Sequence, residues 1–173
     1  TDHLRTLIGS LEAQSTAGGT WVDNTGALTE GGVTDHPTGM EAGGSIVVSA
    51  SSPIIIKSNV MAGGDITYVA KDGKPFGETA PDDIIFEPSA RLTSLAGNIT
   101  LVAADSILYQ GVGSGDARMN GKDITLTAIR GSIGQADNPI LIRSSNSARG
   151  SLSAAAATGV WTTQTVGDLY VTQ

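Results

Sequence analysis

The sequence predicts an all-β protein that folds as a parallel β-helix, a β-solenoid of about seven irregular coils. Three observations support this prediction: a short phrase that recurs along the chain, period-two apolar runs within each recurrence, and a composition poor in aromatic residues. A recurrence of roughly 20 to 50 residues is typical of solenoids and propellers. The repeat therefore points to a fold class before any single strand is assigned.

The recurring phrase is a glycine, or a lysine in one case, followed by one residue that is small or polar and then by a strand-like run. The first apolar residues of these runs are Trp21, Ile46, Ile66, Ile99, Ile124, Leu152 and Leu169. The steps between them are 25, 20, 33, 25, 28 and 17 residues. We interpret each step as one coil, and we expect the marked isoleucines to point inward and to stack.

The runs alternate apolar and polar residues over four positions, as in Ile124-Thr125-Leu126-Thr127, and they are bounded by Gly, Ser, Asn and Asp. This pattern predicts short strands joined by turns. A leucine-rich repeat or a propeller blade would need a different motif or four strands per repeat. Second apolar runs within the coils are expected to form the other faces: 53–56, 106–109 and 139–142.

Composition and charge narrow the functional classes. The chain has 23 Gly and only two Phe among 173 residues, which suits a thin core of small and β-branched side chains. The formal net charge of −7 argues against a nucleic-acid partner or an anionic membrane surface. No apolar run is long enough to span a membrane, and the absence of cysteine excludes disulfides and thiolate metal sites. We expect no membrane insertion.

The first residues allow two interpretations. Leu4, Leu7, Ile8 and Leu11 fall at helical spacing after a possible cap, so they could form a short helix that closes one end of a solenoid. The same residues could instead form a first irregular coil. We favour the coil.

The 33-residue step predicts a loop insertion at about residues 71–91. This segment contains three of the six prolines and five carboxylates, which disfavour stacking. We interpret it as a solvated excursion that could be deleted near 74–83, with a ligand or Ca²⁺ contact as the alternative. No calcium-repeat spacing accompanies it, so we predict no metal site.

One polar position recurs just before the marked apolar residue. It is occupied by Ser45, Asp65, Asn98, Asp123, Ser151 and Asp168. Stacked coils would bring these side chains together along one corner. We expect them to hydrogen-bond backbone at turns rather than to bind ligands, because Asp, Asn and Ser do so readily.

No residue pattern points to catalysis, so we predict a protein that is not an enzyme and has no catalytic residues and no cofactor. Asp82-Asp83 is the one adjacent acidic pair, but no histidine and arginine motif accompanies it. His36 is interpreted as a surface turn residue. Trp21 and Trp161 lie in strand-like runs, so we expect them to pack inward rather than to bind sugars.

Three segments resemble a known family, and one of them is "SPIIIKSNVMAGGDIT" (52–67). "GGTWVDNTGALTEGG" (18–32) and "GSIGQADNPILI" (131–142) are similar to coils of filamentous-haemagglutinin-like adhesins, the two-partner secretion exoproteins of Gram-negative bacteria. The likeness runs from about Gly18 to the C-terminus. It implies a right-handed β-helix, export through an outer-membrane transporter, a location outside the cell or on its surface, and a role in attachment to a host-cell or glycan receptor.

We therefore expect residues 1–173 to be a single β-helix segment of an adhesin shaft. Because the sequence begins at Thr, we interpret it as a piece of a longer chain. Two alternatives stay open: a fragment of a polysaccharide-active lyase or hydrolase, and the stalk of a contact-dependent toxin.

Overall fold

The chain folds into parallel strands that are stacked in sequence order. The computed structural model describes residues 3–34, 38–73, 80–112, 115–144 and 150–171, and within these ranges it contains 22 strands and no helix. Accordingly, the described residues include no helix that could cross a membrane. The strands form three sheets, here named A, B and C, with every neighbouring pair parallel.

Sheet A has eight strands, and sheets B and C have seven each. The strands of sheet A are β1 (Leu4–Thr6), β4 (Thr20–Asn24), β7 (Ile46–Ala50), β10 (Ile66–Ala70), β13 (Ile99–Ala103), β16 (Ile124–Ala128), β19 (Ser151–Ala156) and β22 (Tyr170–Val171). Those of sheet B are β2 (Ser10–Leu11), β5 (Leu28–Glu30), β8 (Ile54–Ile56), β11 (Ile84–Phe86), β14 (Ile107–Tyr109), β17 (Ser132–Ile133) and β20 (Gly159–Val160). Those of sheet C are β3 (Ala13–Ser15), β6 (Thr38–Ala42), β9 (Asn59–Ala62), β12 (Leu92–Ser94), β15 (Met119–Gly121), β18 (Ile140–Ser144) and β21 (Thr162–Gln164).

Each coil visits the three sheets once, so the chain makes seven coils and then begins an eighth with β22. Coils 1 to 7 comprise residues 4–15, 20–42, 46–62, 66–94, 99–121, 124–144 and 151–164. The predicted parallel β-helix of about seven coils is confirmed. The second apolar runs also form the other faces, because 54–56 and 107–109 lie in sheet B and 140–142 in sheet C.

The core is built from ladders of equivalent side chains. In sheet A the ladder Ile46, Ile66, Ile99 and Ile124 pairs in direct register, and all four side chains are fully buried. Sheet B contributes Ile54, Ile84, Ile107 and Ile133, and sheet C contributes Val60, Leu92, Met119 and Ile142. Period-two alternation places one face of each strand inward, which is why the isoleucine spacing predicted this ladder.

The end marks of the predicted ladder are wrong. Thr20, not Trp21, pairs with Ile46, and Val171, not Leu169, pairs with Leu152. Trp21 therefore pairs with Val47 on the outer side of sheet A and is only half-buried. The first apolar residue of a run does not always take the inward position.

The N-terminal residues form strands of coil 1, as favoured, rather than a helix. Leu4 pairs with Val22, yet 61% of Leu4 is exposed, because among the described residues coil 1 has a neighbouring coil on one side only. Leu7 is also exposed.

The predicted insertion is shorter than 71–91. Ile84–Phe86 is a strand of sheet B that pairs with both β8 and β14, and Ile84 and Phe86 are fully buried. Residues 84–91 therefore belong to the stack. Thirteen residues (71–83) separate β10 from β11, whereas three (51–53) separate β7 from β8. Residues 74–79 of this segment lie outside the described ranges.

Candidate functional site

The recurrent polar position forms a hydrogen-bonded row along one corner. Ser45 Oγ accepts from the Asp65 amide (3.1 Å), and Asp65 Oδ1 accepts from the Asn98 amide (2.8 Å). The row continues as Asn98 Oδ1 accepts from the Asp123 amide (3.2 Å) and Asp123 Oδ1 accepts from the Ser151 amide (2.9 Å). The oxygens are engaged by backbone N–H groups, as expected, but each bond joins two coils rather than one turn.

Asp168 is not part of this row. Tyr170 pairs with Ser151, so Tyr170 takes the equivalent position in the incomplete eighth coil. The error follows from the misplaced mark at Leu169. The row itself holds adjacent coils in register, and this function is structural.

The base of the insertion is a charge cluster centred on Arg130. Its guanidinium donates to Asp72 (2.9 Å), Asp82 (3.0 Å) and Asp105 (2.7 Å). The Asp82 side chain is fully buried, and its other oxygen accepts from the Gly73 amide at 3.0 Å. These bonds join Asp72 and Asp82, near the two ends of the insertion, to each other and to coils 5 and 6. This junction is called the neck of the insertion below.

Asp83 lies beside this cluster but has different partners. Its Oδ1 accepts from the Ser106 amide (2.7 Å), and its backbone oxygen accepts from the Ile54 amide. Burial raises the pKa of the Asp83 carboxyl, and the carboxylates of Asp105 and Asp82 add to that effect. Both members of the adjacent acidic pair are thus buried and bonded within the stack, which gives no support to a catalytic role for them.

In two of the family-like segments, 18–32 and 131–142, an asparagine and a nearby glycine are placed where the chain turns. In the first, the buried Asn24 side chain accepts from Thr6 Oγ1 (2.8 Å) and donates to the Ile8 carbonyl (3.1 Å), while Gly26 has a φ of 85° that favours glycine. In the second, Asn138 donates to two carbonyls of coil 5 and the nearby Gly134 has a φ of 70°. These motif residues join coils to one another.

Glu30 is a buried acid in an otherwise apolar ladder. Its Cα neighbours in sheet B are Leu11 and Ile56, it is 0% exposed, and neither carboxyl oxygen has a hydrogen-bond partner. Burial raises the pKa of Glu30 to about 9, with a smaller contribution from the Glu12 carboxylate. At neutral pH the side chain is therefore a protonated acid. Sequence reasoning missed it because a single polar residue in a strand usually indicates an outward position.

The outer face of sheet C carries a groove that sequence reasoning also missed. One outward row runs through Thr93, Asn120 and Arg143 in successive coils. A concavity of about 390 Å³ opens over this row, and Arg91, Asp116 and Thr165 also line it. A second concavity, of about 220 Å³, lies farther along the same face beside Gln14, Glu41 and Met61.

The remaining predicted residues do not gather at either concavity. Trp161 is half-buried between β20 and β21. The prediction that both tryptophans pack inward is therefore wrong, because neither is fully buried. His36 lies outside the described residues, and His3 is exposed near the first strand. In the part of the chain that the structure describes, no group of three or more His, Cys, Asp or Glu side chains could hold a metal ion.

Comparison with known proteins identifies no relative. No protein-family description matches the chain, and no match was found among curated proteins or among solved structures.

Proposed function

We propose that this chain is a stretch of a rod-like shaft in a secreted or surface-exposed adhesin of a Gram-negative bacterium. The single observation that carries the proposal is the unbroken core ladder, in which Ile46, Ile66, Ile99 and Ile124 stack without a gap in four consecutive coils. Each added coil lengthens such a rod by about 4.8 Å and needs contacts only with its neighbours.

Two further features support a mechanical role. Side-chain hydrogen bonds of the corner row cross from coil to coil between Ser45 and Ser151, so they resist shear between coils. The buried acids at the insertion neck are satisfied by Arg130 and by backbone amides, which suits a fixed structural junction. Attachment itself, and export by a transporter, rest on the family resemblance of residues 18–32 and 131–142.

The proposal is tested by shortening the rod in register. Deleting residues 46–65 joins Ser45 to Ile66 and removes one coil, including β7, β8 and β9. We expect the protein that carries this deletion to keep its attachment to host cells when it is displayed on the bacterial surface. The reason is that the coils on either side of the deletion present equivalent ladders to each other.

The matched variant is Ile99→Asp, which keeps the length but places an unpaired charge in the core. We expect it to abolish surface display or attachment. Undiminished attachment of an Ile99→Asp protein whose β-structure is lost would contradict the shaft role, and so would loss of attachment after a deletion that leaves the fold intact.

A further inference from the structure

The groove on sheet C combines groups that suit one class of ligand. Thr93, Asn120 and Arg143 are direct cross-strand neighbours in coils 4, 5 and 6, so their side chains lie in a straight row. Successive positions in such a row are about 4.8 Å apart. A row of this kind presents repeated polar contacts along the axis of the coil stack, which fits an extended polymer better than a compact molecule.

The charge of the groove selects for anions. Arg143 is exposed, and its guanidinium has no hydrogen-bond or ion-pair partner among the residues that the structure describes. Arg91 is paired with Asp116 at 3.1 Å, and 84% of the Asp116 side chain is exposed at the rim. Two guanidiniums and one carboxylate leave this groove positive in a chain whose formal net charge is −7.

The neutral groups of the groove select for hydroxyls. Asn120 lines the groove, and a side-chain amide can both donate to and accept from sugar hydroxyls. Thr165 Oγ1 donates to the Ile142 carbonyl at 3.3 Å, which leaves its lone pairs free to accept. Thr93 adds a further hydroxyl to the lining.

From this combination we propose that the groove binds a linear acidic polysaccharide, with a sugar carboxylate on Arg143 and sugar hydroxyls on Asn120 and the two threonines. A guanidinium binds a carboxylate through two parallel hydrogen bonds, which gives both affinity and orientation. This binding site goes beyond the mechanical role of the shaft and does not depend on it.

The test is isothermal titration of the purified chain with tetrasaccharides. The acidic probes are hyaluronan tetrasaccharide, tetragalacturonate and α2,8-linked tetrasialic acid; chitotetraose is the neutral control and tetraglutamate is the peptide control. We expect at least one acidic sugar to bind, the neutral sugar to bind at least about tenfold more weakly, and the affinity to fall as salt is raised.

Variants locate the site. Arg143→Gln and Asn120→Asp should each weaken binding of the acidic sugar by about tenfold or more, since the first removes the cation and the second adds an opposing charge. Arg5→Gln is the matched control, because Arg5 is an exposed arginine on sheet A and should leave binding unchanged. Equal urea midpoints for the three variants would show that folding is not the cause.

Three results would overturn the proposal, and a fourth would overturn its assignment to a polysaccharide. The three are no binding of any acidic sugar at millimolar concentration, an equal loss in Arg143→Gln and Arg5→Gln, and equal affinity for chitotetraose. Binding of tetraglutamate as tight as that of the best sugar would show that the groove recognises acidic peptides, and the assignment to a polysaccharide would then be wrong.

Discussion

The central and terminal coils both place apolar side chains in the inward columns of sheet A, yet they bury these side chains to different extents. Ile66 and Ile99 in coils 4 and 5 are fully buried between neighbours on both sides. Leu4 in coil 1 and Val171 after coil 7 also continue inward columns of sheet A, but they are 61% and 65% exposed. The residue types are similar, and the number of neighbouring coils differs.

This difference shows where stability resides in the molecule. In a stack of repeats, each unit is stabilised mainly by its two interfaces, so an end coil has about half of the support of a central coil. We therefore expect the free energy of local unfolding to be highest around coils 3 to 6 and to fall toward both ends. A binding groove on coils 4 to 7 lies mostly on the more stable part.

The largest expected difference between central and terminal coils is the loss of stability caused by a buried charge. Ile99→Asp places a carboxylate where no partner exists, and we expect a loss of at least about 4 kcal/mol in the free energy of unfolding, measured by urea denaturation. Leu4→Asp, at an exposed position of the terminal coil, should cost less than about 0.5 kcal/mol. Similar losses in the two variants would refute the contrast.

A second expected effect is a pH dependence of stability. It comes from Glu30 in coil 2, which lies between the terminal coil and the central coils. Glu30 has a pKa of about 9 in the folded chain against an ordinary value of 4.5, so the unfolded state releases its proton first as pH rises. The contribution of Glu30 to stability should therefore be greatest below pH 4.5, fall as pH rises from there to about 9, and be lower by about 3 kcal/mol at pH 7.

The variant Glu30→Gln isolates this contribution. The difference in urea-derived stability between Glu30→Gln and the parent chain should grow in favour of the variant between pH 4.5 and pH 8. A difference that stays constant over this range would mean that the Glu30 carboxyl is not held protonated in the core.

The third prediction concerns the neck of the insertion in the central coils. Arg130→Met removes the only guanidinium that donates to the fully buried Asp82 side chain in the described structure, and a buried carboxylate without its partner is costly. We expect a lower urea midpoint at pH 7. Arg91→Met, which breaks the exposed pair with Asp116, should leave the midpoint nearly unchanged.

The smallest expected effect is at the corner row. Asp65→Ala removes the acceptor for the Asn98 amide, and we expect a loss of about 0.5–1 kcal/mol because the backbone group stays near solvent. Asp168→Ala is the matched control, since Asp168 lies outside the row, and it should have no measurable effect. Hydrogen exchange of the Asn98 amide should quicken in the first variant alone.

The sequence predicted the repeated positions of the ladder correctly, but it did not predict the residues that depart from the repeat. The reasons are physical. Ile46, Ile66, Ile99 and Ile124 were recognisable because strand alternation and turn residues are local properties of the chain. Trp21 was misplaced because Thr20 takes the inward position, a choice set by register with the next coil. Asp82 suggested a solvated loop, and its burial depends on Arg130, which is 48 residues away.

The groove was beyond sequence reasoning for a related cause. Thr93, Asn120 and Arg143 become neighbours only when coils of unequal length are aligned, and no local pattern fixes that alignment. Glu30 was equally hidden, since a single polar residue in a strand usually indicates an outward position.

The central claim, a stack of coils that keeps its register across the insertion, is tested most directly by dipolar EPR distances. The chain has no cysteine, so spin labels can be placed at Val47 together with Thr100, Thr125 or Ser153, all on one outward row of sheet A. The stack predicts backbone separations of about 10, 14 and 19 Å, one strand spacing per coil, although the step from 67 to 100 contains the insertion. Distances that do not grow by one strand spacing per coil, or a larger increment across the insertion, would contradict it.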